Sequence, residues 1–436
     1  MGSLQVLKQA NSDIKLLWSS AFLRLMSYGL TNQILTLFLR EIGISEEQMG
    51  WFMSLTLIGD VSISYFLTWH ADSWGRRKTL TYGAVMMIMS AGVFTYFENY
   101  YILLLFAIFG VISPSSDEVG PFKSIEESMI AHLTPHNMRP EVYAMHSLLG
   151  TLGSALGSII CGWLISLFQG FGIFNSDLAC YKAIFAIYGL LGVGKLITIL
   201  CLSQSADFES HHDEQPDVVQ VLEEDTPLID VDLRNKRKLS PDTKSVLIKL
   251  LVIFMLDSFG YGFMTSAWLV YYYSTYFNMT ALALGVLFFV AKLVMALSSM
   301  PSSALARTFG PVKATLIAQV PSAVFFILIP FTEHHLSLSI LFLNLYSLTS
   351  AMDVTPRQIL LTTIIKPRDL TRVMGVVNIG KTFARCVGPI FTGILANRGL
   401  LWLCYVLSGL FVILADFILG VLFINVDSEI IKKTNA

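Results

Sequence analysis

The chain has 436 residues, 54% of them hydrophobic and only 14% charged, with a mean hydropathy of +0.64. Soluble proteins carry about 25% charged residues, so a soluble domain is excluded and a membrane-embedded chain is expected. A net charge of −2 gives no basic footprint for nucleic acid, and five cysteines in or beside apolar stretches form neither a disulfide framework nor a zinc pattern.

Residues 1–15 are expected to be a cytoplasmic N-terminus; the first thirteen are polar and lack a charged leader, an apolar core and a small-residue cleavage site, so the first span is expected to act as its own insertion signal. Val6 stands where a myristoylation signal needs Ser or Thr. Twelve apolar stretches follow, each near the roughly 20 residues needed to cross a bilayer. They cover 16–39, 48–69, 79–97, 101–129, 142–168, 181–202, 246–273, 281–300, 312–331, 336–365, 372–395 and 400–424. Six lie in an N-terminal bundle, 16–202, and six in a C-terminal bundle, 246–424. Between them, 203–245 is rich in Asp, Glu, His, Lys and Arg and is expected to be a disordered loop. Residues 425–436 form a short tail. The predicted fold class is all-α, a polytopic membrane protein of twelve transmembrane helices in two pseudo-symmetric six-helix bundles.

Basic residues orient these spans. With residues in the first or last four positions of a span counted to the adjoining loop, nineteen of the 29 Lys and Arg fall on the side of the two termini and three on the other side (Arg40, Lys182 and Arg398), the remaining seven lying deeper within spans. This bias places both termini and the central loop in the cytoplasm. It also places Asn278, in the sequon Asn278-Met279-Thr280, in an outer loop open to glycosylation.

The two halves repeat. Ala71–Lys78 echoes Ala306–Lys313, Tyr28-Gly29-Leu30 echoes Tyr261-Gly262-Phe263, and Gly157 and Gly162 echo Gly388 and Gly393, at offsets of 231–235. Parallel repeats of this kind build two bundles around a central cavity. Gly150, Gly153, Gly157 and Gly162 mark a close-packing stripe on span 5.

The loop between spans 2 and 3 reads Trp69-His70-Ala71-Asp72-Ser73-Trp74-Gly75-Arg76-Arg77-Lys78. Ala71, Asp72, Gly75, Arg76 and Arg77 match the pattern at that loop in the major facilitator superfamily, which the chain resembles; Thr68 and His70 depart from it. Asp117–Glu126, Leu256-Asp257 with Gly260-Tyr261-Gly262, and Met352-Asp353-Val354 with Arg357-Gln358 resemble a fungal and bacterial branch of that superfamily with no settled substrate. The resemblance implies a secondary transporter, with Asp72, Gly75, Arg76 and Arg77 latching a cytoplasmic gate. Gly157–Gly162 resembles the span 5 antiporter motif, with Ser158 in place of Pro and Cys161 in place of Gly. This departure counts against an antiport assignment.

Charged groups inside a bilayer cost roughly 2.5–3.5 kcal/mol each and so mark candidate sites. Arg24 in span 1 and Asp257 in span 7 occupy equivalent repeat positions. They are open to three readings: a pair across the bundles, a substrate and proton site, or a static salt bridge. Glu118 in span 4 is the candidate protonatable coupling group, whereas Glu126 and Glu127 read as helix-end and inter-span hydrogen-bonding groups. Lys292, Arg357 and Lys381, with Arg385, are candidates to receive an anionic solute, opposed by Asp60, Asp257, Asp353 and Asp416.

Gly375–Thr382 fits a P-loop expression, but it lies in an apolar span with no preceding strand and is read as coincidence. His211-His212-Asp213 reads as solvated chain, so no metal and no cofactor are expected. Glu224, Leu228 and Ile229 fit an acidic dileucine signal, which resembles a sorting address to the vacuole or lysosome read by an adaptor. No nucleophile–base set points to an enzyme. The sequence thus predicts a secondary active transporter of a small solute by alternating access, proton-coupled. The competing classes are a non-transporting sensor or scaffold that keeps the fold, and an ATP-driven pump.

Overall fold

A computed structural model describes residues 11–110, 112, 114, 121–135, 138–203, 241–298, 301–332, 334–365 and 367–434. The central segment 204–240, and with it Glu224, Leu228 and Ile229, lies outside the described residues, as does Glu118.

In the N-terminal half, α1 (Ser12–Glu41), α2 (Glu46–Trp74) and α3 (Arg76–Tyr96) are continuous crossings. Span 4 is divided into α4 (Tyr100–Phe109) and α5 (Pro121–Leu133), where a single span over 101–129 was expected. Gly110 ends α4, and the carbonyl it leaves open accepts a hydrogen bond from the Tyr188 hydroxyl at 3.0 Å. Pro121 opens α5, a position where its missing N–H costs nothing. Spans 5 and 6 are α6 (Arg139–Gly170) and α7 (Asp177–Leu200).

In the C-terminal half, span 7 is α8 (Pro241–Phe263) followed by α9 (Ser266–Tyr276), and span 8 is α10 (Ala281–Ser298). A short amphipathic α11 (Ser302–Phe309) leads into span 9, α12 (Pro311–Leu328). Span 10 is divided like span 4, into α13 (Leu336–Ser350), a 3₁₀ turn (Ala351–Asp353) and α14 (Val354–Ile364). Spans 11 and 12 are α15 (Pro367–Asn397) and α16 (Leu401–Thr434). Helix α16 continues ten residues past the apolar stretch ending at 424. Among the described residues nine helical crossings are long and apolar enough to span a membrane. Helices α1 and α15, at 30 and 31 residues, are long enough but more polar, and the broken span 4 completes the twelve.

The repeat is realised in packing. Span 1 packs on spans 5 and 6, as span 7 packs on 11 and 12; span 3 packs on 6, as 9 packs on 12. A Cβ added at Gly157 would stand 2.1 Å from the Met26 carbonyl oxygen, and one added at Gly388 would stand 2.2 Å from the Gly262 carbonyl carbon. Only glycine lets these backbones meet, which is why the Gly29–Gly157 contact recurs as Gly262–Gly388.

The bundles join along spans 2 and 11 and along spans 5 and 8. These junctions sit toward the end of the molecule away from the termini. There the Gly50 and Gly393 backbones touch, Thr36 donates to the Ala267 carbonyl at 3.1 Å, and Tyr271 donates to Glu46 at 2.7 Å. One apolar cluster, holding Phe38, Phe52 and Phe94 from one half with Trp268, Phe288 and Tyr405 from the other, crosses the junction at this far end. Toward the termini the core separates into two clusters, one around Trp18, Leu80 and Phe122, the other around Phe254, Val312 and Val377. The far end is therefore sealed and the terminal end parted.

Candidate functional site

At midspan a cavity of about 460 Å³ is lined by spans 7, 8, 10 and 11. Its described lining belongs wholly to the C-terminal half, where a cavity shared between the two bundles was expected. Four of the sequence-predicted residues, Asp257, Lys292, Arg357 and Lys381, meet there.

The centre of the site is built on the break in span 10. Ending α13 at Ser350 and restarting at Val354 puts Asp353 at the helix start and Arg357 in the first turn of α14. Asp353 suits the positive end of that helix, but its carboxylate is turned to Arg357, with Oδ2 at 2.9 Å from Nε. The same guanidinium donates to Asp257 from Nη1 at 2.5 Å and from Nη2 at 3.0 Å, a two-pronged pair across spans 7 and 10. Gln319 of span 9 completes it: its amide nitrogen donates to Asp257 Oδ1 at 2.7 Å, and its carbonyl oxygen accepts from Arg357. Phe254 lies beneath, its ring 5.4 Å from the Arg357 guanidinium carbon and 5.6 Å from the Lys381 ammonium. Lys292 reaches across the bundle junction and donates to the hydroxyls of Ser154 at 2.7 Å and Ser158 at 3.2 Å on α6.

Arg24 stands apart from this cavity. It is 2% exposed and paired with Glu126 of α5, which is fully buried. Glu126 also accepts from the Ser20 hydroxyl at 3.1 Å and lies 3.7 Å from His146 Nε2. Lys195 of span 6, also buried, stands over the Phe122 ring at 4.7 Å. The cross-bundle pair of Arg24 with Asp257 is therefore not formed; each finds its opposite charge in its own half, because span 4 faces span 1 and span 10 faces span 7.

Gly75 and Gly310 start α3 and α12 with φ of 95° and 86°, values that favour glycine. Arg77 donates to the Leu200 carbonyl at the end of span 6, and Asp427 of span 12 accepts from the Val312 and Lys313 amides at 2.8 and 2.9 Å. Each loop is thus tied to the last span of its own bundle. Arg76 opens α3 beside Gly75, and the Asp72 side chain lies outside the described residues. Asn278 is exposed between α9 and α10 at the far end, in the left-handed conformation that Asn tolerates.

Sequence reasoning missed Gln319 and undervalued Glu126. A lone Gln in the apolar span 9 was one signal. The other was an offset of 231 between Glu126 and Arg357, inside the repeat range.

The Major Facilitator Superfamily family model matches residues 17–247 and 250–436. The chain is 60% identical over 437 residues to the uncharacterised membrane protein YJR124C of Saccharomyces cerevisiae, covering 98% of each. Its fold is similar to that of a bacterial homologue of the human lysosomal transporter Spinster in an inward-facing, unoccupied conformation, with a TM-score of 0.69 and 13% identity over 94% of this chain and 96% of that one. It is also similar to a D-xylose–proton symporter, with a TM-score of 0.65 and 14% identity over 94% and 96%. The two-bundle architecture and the family match over both halves together settle the family: this chain belongs to the Major Facilitator Superfamily and is a multi-pass membrane transporter, not an enzyme.

Proposed function

We propose that the chain is a secondary active transporter of a small solute, working by alternating access with the C-terminal cavity as its binding site. One observation carries the reading: a midspan cavity with buried ion pairs sits behind a sealed far end and a parted terminal end. With the termini cytoplasmic, as the basic residues indicate, this is the inward-facing state. Asp257, Arg357, Lys292 and Lys381 hold the solute, and the loop Asp72–Arg77 latches the cytoplasmic side in the opposite state.

Protons are the proposed coupling ion. Supporting this, Asp60 is buried inside span 2, lies within electrostatic reach of Arg24, Tyr28 and Cys386 and has no hydrogen bond or ion pair among the described residues. Carboxylates buried inside membrane spans are the groups from which proton relays are built.

The test needs no substrate. Spin labels at positions 36 and 267 report the far end, and labels at 15 and 244 report the terminal end. Two populations whose distances change in opposite senses between pH 5.5 and 7.5 are expected. One fixed distance at each end at both pH values would sink alternating access and favour a scaffold. For the address, alanine at Leu228 and Ile229 should move a tagged chain from the vacuolar or lysosomal membrane to the cell surface; unchanged placement refutes the signal. For Asn278, a glycosidase shift lost in Asn278→Gln would establish the glycan.

A further inference from the structure

We propose that Lys292 is a positioning residue, a tether that links occupancy of the cavity to movement of the bundles: its bonds to Ser154 and Ser158 hold the inward-facing state, and an acceptor on a bound solute draws it off them. This rests on the transporter reading and supplies the link from the one-sided cavity to the other half.

The cavity is lined by spans 7, 8, 10 and 11, so a solute in it meets side chains of the C-terminal half. Alternating access moves one bundle against the other, and a ligand shifts such an equilibrium only through contacts that differ between the states. Lys292 makes a contact of that kind. It lines the cavity from span 8, and its ammonium donates to the Ser154 hydroxyl at 2.7 Å, the Ser158 hydroxyl at 3.2 Å and the Ser154 carbonyl at 3.4 Å, all on α6 of the N-terminal half. Charge-assisted bonds are roughly twice as strong as neutral ones. Thr265, another lining residue, reaches the N-terminal half through a weaker bond, to the Met53 sulfur at 3.8 Å.

The place of the tether makes it specific to one state. Toward the far end spans 5 and 8 touch: a Cβ added at Gly285 would stand 2.7 Å from the Ser158 carbonyl oxygen, and one added at Gly162 would stand 2.3 Å from the Ala281 carbonyl oxygen. Toward the termini Ser147 and Leu148 of span 5 and Leu297 of span 8 are exposed. Lys292 lies where contact gives way to separation. Ser158 belongs to both features, its carbonyl against Gly285 and its hydroxyl on Lys292. Opening the far half lifts Ser158 off Gly285 and carries its hydroxyl away from the ammonium. That hydroxyl keeps a bond of its own, to the Ser154 carbonyl at 3.2 Å, so release leaves it paired.

The repeat confines the tether to one junction. The Gly162–Leu282 contact between spans 5 and 8 recurs as Gly393–Gly50 between spans 11 and 2, at offsets of 231 and 232. At the same offsets Lys292 corresponds to Asp60, Ser154 to Cys386, and Ser158 to Pro389 or Ile390. The second junction therefore repeats the close backbone contact without an ammonium or a hydroxyl at these places. An ammonium has three N–H donors, and span 5 presents three acceptors to it. A solute acceptor beside Lys292 competes for those donors, so occupancy and release of the far half favour one another.

The experiment uses the full chain, reconstituted without solute in a Cys201→Ser background, with spin labels at the exposed positions 171 and 280 for the far end and 15 and 244 for the terminal end. Ser154→Ala with Ser158→Ala removes both hydroxyls and leaves every described cavity-lining side chain in place. The ratio of far-end-open to far-end-closed molecules should rise at least about tenfold, the scale of a charge-assisted bond, with a matching rise in short 15–244 distances. Lys292→Met should give the same shift, Lys292→Arg a smaller one, and the triple variant no further shift, because the changes remove one shared contact. Met295→Gln, one turn from Lys292 and also lining the cavity, sets an amide acceptor beside the ammonium in imitation of an occupied site and should raise the ratio too. Should the double variant fail to fold, Ser154→Ala alone, which loses the 2.7 Å bond, carries the test. A serine variant that melts lower with unchanged populations overturns the tether, as does a shift in Lys292→Met without one in the serine variant. An unchanged ratio in folded Met295→Gln overturns the link to occupancy. In each of these cases two populations in the unaltered chain leave the transporter reading standing. One fixed distance at each end, in the unaltered chain and in every variant, overturns the tether and the transporter reading together.

Discussion

Glu126 and Arg357 occupy equivalent positions in the second halves of the two broken spans, 231 residues apart, and carry opposite charges. Their partners are equivalent too, and likewise inverted: Arg24 in span 1 and Asp257 in span 7. Asp60 and Lys292, 232 residues apart in spans 2 and 8, reverse sign in the same way. The duplicated halves have kept the geometry of a buried ion pair and exchanged its poles.

That inversion makes a charge swap the direct test. Glu126→Gln should cost about 3–5 kcal/mol, because it leaves Arg24 buried without its counter-charge. Exchanging the pair, Arg24→Glu with Glu126→Arg, should recover most of the loss, since the other half of the molecule holds that polarity. Thermal unfolding in detergent read as a double-mutant cycle measures the coupling, and additive losses would show that the pair acts independently.

Gln319→Leu should lower stability by about 1.5–3 kcal/mol and reduce transport, because it removes the donor to Asp257 while leaving the carboxylate buried. Gln319→Glu places a third carboxylate beside Asp257 and should cost more at pH 7.5 than at pH 5.5. Unfolding curves at both pH values check the sign: protonation relieves the repulsion, so stability is regained as pH falls.

Gly157→Leu should separate spans 1 and 5 and abolish folded protein, because its Cβ would enter the Met26 carbonyl. Gly375→Ala, with open space around the added carbon, should stay within about 0.5 kcal/mol of the unaltered chain. Monodispersity on size exclusion, measured side by side, separates the two.

Gly75→Ala should cost about 1–2 kcal/mol for a left-handed backbone, and Gly310→Ala more, because its Cβ would also stand 2.5 Å from the Asp427 carboxyl carbon. Asp72→Asn should slow transport while leaving the melting temperature unchanged. Full transport in the well-folded Asp72→Asn variant would reject the latch.

Cysteines at Thr36 and Ala267, in a Cys201→Ser background because Cys201 is exposed, should be bridged by a short bifunctional thiol reagent. Bridging is expected to abolish uptake, and reductive release of a cleavable reagent should restore it. Undiminished uptake by the bridged protein would mean that the far end does not open.

Hydropathy and repeat offsets sufficed for the number of spans, the two halves and the glycine contacts, because lipid and close packing constrain those features one span at a time. Asp257, Lys292, Arg357 and Lys381 were also legible, since a charge in an apolar span stands out. Partner choice was not. Offset shows that Arg24 and Asp257 are equivalent, but equivalence is a statement of symmetry, and contact depends on which span faces which. The same gap hid the preference of Arg24 for Glu126, the role of Gln319 and the one-sided lining of the cavity. The break in span 4 carried a signal, Pro114, Gly120 and Pro121 in and beside the polar residues 113–118, but averaging hydropathy over 101–129 let the apolar run before it hide that polar stretch.

The apolar cluster that bridges the halves at the far end gives the transport cycle a thermal signature. Opening that end admits water onto Phe38, Phe52, Trp268 and Tyr405, and hydrating apolar surface raises heat capacity. The equilibrium between the two states should therefore curve with temperature. Because apolar burial weakens on cooling, the seal should loosen in the cold, and low temperature should raise the share of molecules whose far end is open.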